Sequence, residues 1–187
     1  VLVDSMAEIA AAAPNLPFYY YHIPIMTGVT TNVAALLRTG GEKISTLAGV
    51  KFSNSAVFEL QAAAAVEDGG YNLLFGSDEM LLSGLCAGAH GAVGTTYNFA
   101  APLFNRIIAA YTACDMPTAQ RLQAHAVEMI NLILGYGGVG AFKAVMSFFD
   151  LDCGPVRLPL VALTEAQQQS LRQDLAAIGF FDWARAR

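Results

Sequence analysis

Apolar positions along the chain fall into short continuous runs alternating with stretches of helical spacing. Residues 1–13 place Val3, Met6, Ile9 and Ala10 on one face of an Ala-rich helix that Pro14 and Pro17 end. Residues 18–23 are aromatic and β-branched, stop at Pro24 and predict a strand. A helix over 32–38 is predicted to close at Gly40-Gly41. A second strand follows at 50–53. Next comes a helix over 56–66, capped by Ser55 and ended by Asp68-Gly69-Gly70. Residues 71–75 and 91–96 predict two more strands, with a helix over 80–87 between them. Beyond Pro102 the spacing is helical over 104–112, 119–134, 141–149 and 165–178, and residues 154–159 form an extended connector.

The four predicted strands are near-continuous apolar runs, so they are expected to be covered on both faces, as in a parallel sheet of βαβ units. Four such units are half of a (β/α)8 barrel, whose usual length is about 250 residues. The expected fold is therefore α/β. Residues 1–101 form part of a TIM barrel, and residues 102–187 supply its last helix and a C-terminal helical bundle. Half a barrel exposes a sheet edge and apolar faces unless something else covers them. The chain opens on Val1 with no charged leader and no initiator Met, so no signal peptide is expected and the true N-terminus is expected upstream.

Composition narrows the classes. Hydrophobic residues make up 55% of the 187 and charged ones 13%, which excludes a disordered segment. With a net charge of −5 and no cluster of Lys or Arg, nucleic-acid binding has no electrostatic footing. A mean hydropathy of +0.46 invites a membrane reading. The best candidate stretch, 80–104, is broken by glycines and Pro102 and carries His90, Thr95, Thr96 and Asn98. It reads as a buried helix followed by a buried strand, not a span. Cys86, Cys114 and Cys153 have neither disulfide nor metal spacing, and read as small buried hydrophobes in a reducing, cytoplasmic setting. Residues 135–140 fit G-x-G-x-x-G by letter, but they follow a helix and no strand, so the reading is a helix–helix turn. His90 and His125 have no metal-ligand companions.

Of the three lysines, Lys43, Lys51 and Lys143, only Lys51 sits inside an apolar strand. Such an ammonium either reaches water or a partner, or loses its proton and becomes a nucleophile. Taken alone, Lys51 fits both readings. The C-terminal ends of parallel barrel strands converge on one pocket. There the first strand presents Tyr21 or His22, and the second Lys51 and Ser53. The third presents Gly76, Asp78 and Glu79, and the fourth Thr95, Thr96 and Tyr97. An amine, a phenol, two carboxylates and several hydroxyls suit imine chemistry on a polyhydroxylated carbonyl compound. Asp78 and Glu79 also suit a solvated first turn of a helix, where acids favour the dipole.

Several motifs in order resemble the N-acetylneuraminate lyases, especially the animal-type members, over nearly the whole chain. Residues 17–24, Pro-Phe-Tyr-Tyr-Tyr-His-Ile-Pro, with Thr27-Gly28, resemble their tyrosine strand. Gly49-Val50-Lys51-Phe52-Ser53 is similar to their Schiff-base lysine strand, and Gly76-Ser77-Asp78-Glu79 to their G-x-D-E turn. Residues 91–98 are similar to the last barrel strand, and Arg157-Leu158-Pro159-Leu160 to the C-terminal connector.

The resemblance implies the second half of the barrel and a class I aldolase that cleaves N-acetylneuraminate to N-acetylmannosamine and pyruvate. It assigns Lys51 as imine-forming amine and Tyr21 as proton shuttle. Asp78 and Glu79 would bind sugar hydroxyls, with Gly76 offering backbone contact. Thr95 stands where the family usually has Ser, keeping the hydroxyl and adding a methyl. Ser53 and Thr27 would be pocket hydroxyls. No metal or organic cofactor is implied, because the imine is the electron sink, and a cytosolic homotetramer with small-molecule substrates is typical. The related dihydrodipicolinate synthases share the lysine and tyrosine. They carry an arginine two residues after the proline, where this chain has Met26. The family's upstream G-[ST]-T-G turn, which holds the pyruvate carboxylate, is absent from these residues. Little activity is therefore expected of this chain by itself, and normal activity of a longer parent. The reading of another class is a catalytically incomplete piece that serves only as an assembly partner.

Overall fold

The computed structural model describes residues 1–184. The chain forms two compact units, residues 1–77 with 83–93, and residues 78–82 with those from 94 onward.

The first unit runs α1 (Leu2–Ala11), β1 (Phe18–His22), α2 (Pro24–Thr27), α3 (Val33–Lys43), β2 (Leu47–Phe52) and α4 (Val57–Ala64). After a 3-10 turn come β3 (Asn72–Phe75), α5 (Leu81–Cys86, its first two residues belonging to the second unit) and β4 (Gly91–Ala92). The strands form one parallel sheet in the order β1-β2-β3-β4, each pairing with its sequence neighbour. Successive side chains point to opposite faces, and the register sorts them into rows. Val50 aligns with Tyr20 and Leu73, and Phe52 with His22 and Phe75. Of these only Tyr20 is half-exposed; the others lie buried under the helices. The alternate face carries Tyr19, Tyr21, Lys51, Asn72 and Leu74, all exposed or half-buried. The expectation of strands covered on both faces therefore holds for one face only. Apolar runs here record packing under helices plus an open face that still carries large side chains.

Met6 and Ala10 of α1 cluster with Leu36 of α3 and Ile44, and Phe18, Tyr20 and Leu47 pack against them. Asn32 caps α3 by accepting the Ala35 N–H at 2.8 Å. The predicted stop at Gly40-Gly41 is overturned, because α3 runs through both glycines to Lys43. Their role is close approach: a Cβ on Gly40 would lie 2.8 Å from Leu47 Cδ2, and one on Gly41 2.2 Å from Tyr71 Oη. The predicted Ser55 cap of α4 is also replaced. The flanking residue is Ala56, whose N–H donates to Asn54 Oδ1 at 3.4 Å.

The fourth strand is much shorter than the predicted 91–96. Its last ladder bond is the Val93 N–H to the Phe75 carbonyl at 2.9 Å, and the Thr96 N–H donates to the Asp78 carboxylate, 2.8 Å away.

The second unit holds a 3-10 turn (Asp78–Met80), α6 (Tyr97–Thr112), α7 (Met116–Gly135), α8 (Val139–Ser147), α9 (Glu165–Ala177) and α10 (Phe180–Ala184). Leu103 and Ile107 of α6, Met129 and Ile133 of α7, Leu171 and Leu175 of α9, and Phe180 form its fully buried interior. Asp115 caps α7 through the Thr118 N–H at 3.1 Å, and Thr164 with Gln167 makes a capping box on α9. α6 starts earlier than predicted and absorbs Pro102, with a local departure from helical angles at Ala100. Residues 101 and 102 both lie inside it, and residues 185–187 of the predicted helical region lie outside the described residues. Gly137 (φ 116°) and Gly138 (φ 66°) make the turn between α7 and α8, as the sequence predicts for residues 135–140.

The cysteines are corrected. All three are free and exposed: Cys114 takes a positive φ in the turn after α6, and Cys153 lies in the connector before α9. Among the described residues no single helix is long and apolar enough to cross a membrane, and the pair α7–α8 is bent by 110°.

Candidate active site

Parallel pairing sets Tyr21 directly beside Lys51, and Lys51 beside Leu74. This decides between Tyr21 and His22: Tyr21 shares the face of Lys51, and His22 points to the helix side. Lys51 Nζ lies 4.0 Å from the centroid of the Tyr21 ring. The lysine is half-buried and the tyrosine 45% exposed, so the pair sits at an open surface of the sheet. Ser53 follows two residues on. Its N–H donates to the His22 carbonyl at 2.8 Å, and its buried Oγ has no hydrogen-bond partner. Gly76 extends β3 through its N–H to the Phe52 carbonyl at 2.8 Å. A Cβ on Gly76 would stand 2.0 Å from Ser53 Oγ and 3.1 Å from Lys51 Cε. Glycine there leaves the space in which the lysine stem and the serine hydroxyl lie. Tyr21, Lys51, Ser53 and Gly76 are thus brought together. Thr27 is exposed, and its hydroxyl serves its own turn, donating to the Ile23 carbonyl at 3.1 Å and accepting the Val29 N–H at 3.2 Å.

The second unit gathers a different set. Asp78 is 6% exposed, and its Oδ2 accepts both the Thr96 N–H at 2.8 Å and the Thr96 hydroxyl at 2.6 Å. Its buried Oδ1 has no partner and stands where a Cβ on Gly94 would be, 1.5 Å away. Gln123 of α7 pins the same turn, donating to the Asp78 carbonyl at 3.2 Å and accepting the Leu82 N–H at 2.9 Å. Burial, and after it the neighbouring Asp78 and Glu79 carboxylates, push the Tyr97 phenol far above its ordinary range, so it stays protonated. Glu79 and Thr95 are exposed. Among the described residues no group of three or more His, Cys, Asp or Glu is placed to hold a metal ion.

The sequence profile of the Dihydrodipicolinate synthetase family matches residues 2–178. The chain belongs to this family. The N-acetylneuraminate lyase of Gallus gallus is 41% identical over 167 residues, covering 88% of this chain and 54% of that protein. Among solved structures, the N-acetylneuraminate lyase of Aliivibrio salmonicida superposes with a TM-score of 0.91 at 38% identity, covering 96% of this chain and 59% of the other. That of Proteus mirabilis gives 0.90 at 36%, covering 96% and 60%. The chain therefore spans between half and two thirds of the length of the relatives it matches. Its architecture is part of a (β/α) barrel of the Dihydrodipicolinate synthetase family, followed by C-terminal helices.

Within this family fold, sequence reading found the lysine–tyrosine pair, and the register supplies the reason they meet. It missed the roles of Thr96, Gly94 and Gln123, which fix Asp78. A small residue two positions before a hydroxyl in a loop carries no signal of its own. Only the observation that Asp78 is buried shows that it needs donors nearby.

Proposed function

We propose that this chain carries the imine-forming half of a class I aldolase acting on N-acetylneuraminate. The observation that carries the reading is Lys51 Nζ over the ring of its register partner Tyr21, 4.0 Å from the centroid, beside an unpartnered Ser53 hydroxyl. Identity of 36–41% to N-acetylneuraminate lyases supports the substrate. The Lys51 amine adds to the C2 ketone of the open-chain sugar, and water leaves to give a protonated imine. The electron-rich face of Tyr21 favours a cationic nitrogen at that place. As the C3–C4 bond breaks, its electron pair flows to the imine nitrogen, giving an enamine. Tyr21 relays the C4 hydroxyl proton, accepting it as its own phenolic proton is passed on, and N-acetylmannosamine leaves as the aldehyde. The proton returns to C3, and hydrolysis of the imine frees pyruvate and Lys51.

Ser53, Gly76 and Thr27 are proposed substrate contacts in the first unit. Asp78, Glu79 and Thr95 are proposed contacts on sequence grounds, with Asp78 Oδ1 an acceptor still unused. No cofactor enters this scheme. A homotetramer in the cytoplasm is the proposed setting; three free, exposed cysteines suit a reducing compartment. The open position of Tyr21 supports low activity for the 187-residue chain by itself. The test is product analysis of the chain and of a longer protein containing it. Release of pyruvate and N-acetylmannosamine from N-acetylneuraminate, without condensation of pyruvate with aspartate semialdehyde, is the expected result. The reverse pattern would replace the lyase reading with the synthase.

A further inference from the structure

On the helix side of the sheet, away from Lys51, a cavity of about 270 Å³ opens between the end of β1 and the starts of α3 and α4. It is lined by His22, Pro24, Thr30, Thr31, Asn32, Asn54 and Glu59. His22 is 1% exposed, and neither ring nitrogen has a hydrogen-bond partner. A buried imidazole without partners is costly, so the cavity has polar valences to fill. His22 Nε2 and Glu59 Oε2 are 3.9 Å apart, beyond hydrogen-bond range but within reach of one bridging atom. Asn54 Nδ2 reaches Glu59 only at 3.5 Å.

We propose that this cavity binds a small neutral polyhydroxylated molecule, at a site distinct from the Lys51 face. Among the described residues Glu59 is the one charged member of the lining and no Lys or Arg belongs to it, which disfavours an anion. A neutral imidazole offers one donor and one acceptor. A hydroxyl satisfies both kinds of valence, donating to Glu59 while accepting from the ring. An ammonium has no acceptor and would leave the imidazole N–H orphaned. Thr30 and Thr31 add hydroxyls that pair with further hydroxyls of the ligand. At about 30 Å³ per water the cavity has room for roughly nine waters, or for one sugar-sized molecule. The inference rests on the first unit alone and stands whether or not Lys51 forms an imine.

The test is histidine-detected NMR of the full chain titrated with xylitol, with 1,4-diaminobutane as the comparison. The signal of His22 is assigned by its loss in His22→Asn. The expected result is a saturable shift of His22, and not of His90 or His125, with a dissociation constant on the order of 1 mM. Thr31→Val and Glu59→Ala should each weaken binding about tenfold, and Lys51→Ala should leave it unchanged. The proposal is overturned if xylitol gives no saturable shift, if the diamine alone gives one, if both lining variants bind as before, or if Lys51→Ala abolishes the response.

Discussion

Lys51 acts through its neighbours, and each neighbour is a packing decision. Gly76 is the clearest case, since the space a Cβ would take is already held by Ser53 Oγ and Lys51 Cε. Gly76→Ala should cost about 1–3 kcal/mol by denaturant unfolding and displace the lysine stem. Its effect on imine formation should exceed its effect on stability. The sequence singled out Lys51 because an ammonium in an apolar strand is unusual, and Tyr21 because family likeness named it. The clearance by Gly76 was not legible, because a glycine after a strand reads equally well as a turn. His22 makes a second test. Burial holds its imidazole below the ordinary 6.5, with Glu59 opposing in part. The unfolded chain then takes up a proton that the folded chain refuses as pH falls through about 6.5, so acidification removes stability. The melting temperature should fall as pH drops below about 6.5, and His22→Gln should flatten that slope. An unchanged slope would contradict the burial argument.

At the level of elements, glycine has two meanings that composition does not separate. Gly40 lies inside α3 against Leu47 Cδ2, the mobile end of a side chain, whereas Gly49 in β2 faces the backbone oxygen of Asn72, 1.8 Å from its would-be Cβ. Gly40→Ala gains about 1 kcal/mol of helix propensity and should stay within about 1 kcal/mol of the parent. Gly49→Ala should cost at least about 3 kcal/mol or prevent folding, because a backbone atom of the next strand has nowhere to go. Chemical denaturation of the two variants separates these outcomes. The same ambiguity made the glycine pair in α3 look like a stop. The end of β4 was misplaced for a related reason. Thr95-Thr96 has strand character by residue type, but the Thr96 N–H has a better acceptor in Asp78. Strand runs, by contrast, were readable because one face packs under helices while the open face still carries large side chains such as Tyr19, Tyr21 and Leu74.

For the molecule as a whole, the parallel order of four strands and the helices that follow were legible from the alternation of runs and from likeness to the family. The open face of the sheet was foreseen only as a consequence of having four strands, and the structure shows what stands there: Tyr19, Tyr21 and Lys51. The central claim is that Lys51, and not Lys43 or Lys143, captures a keto acid. Lys43 is engaged by Asp4, and Lys143 donates to the carbonyls of Cys153 and Pro155 at 3.0 and 2.8 Å, so both amines have other work. The direct measurement is incubation with pyruvate, reduction with borohydride and peptide mapping of the adduct, on this chain and on a longer protein that contains it. A single reduced pyruvyl group on Lys51, abolished by Lys51→Arg, is the predicted result. Labelling at another lysine, or no adduct in the longer protein, would contradict it.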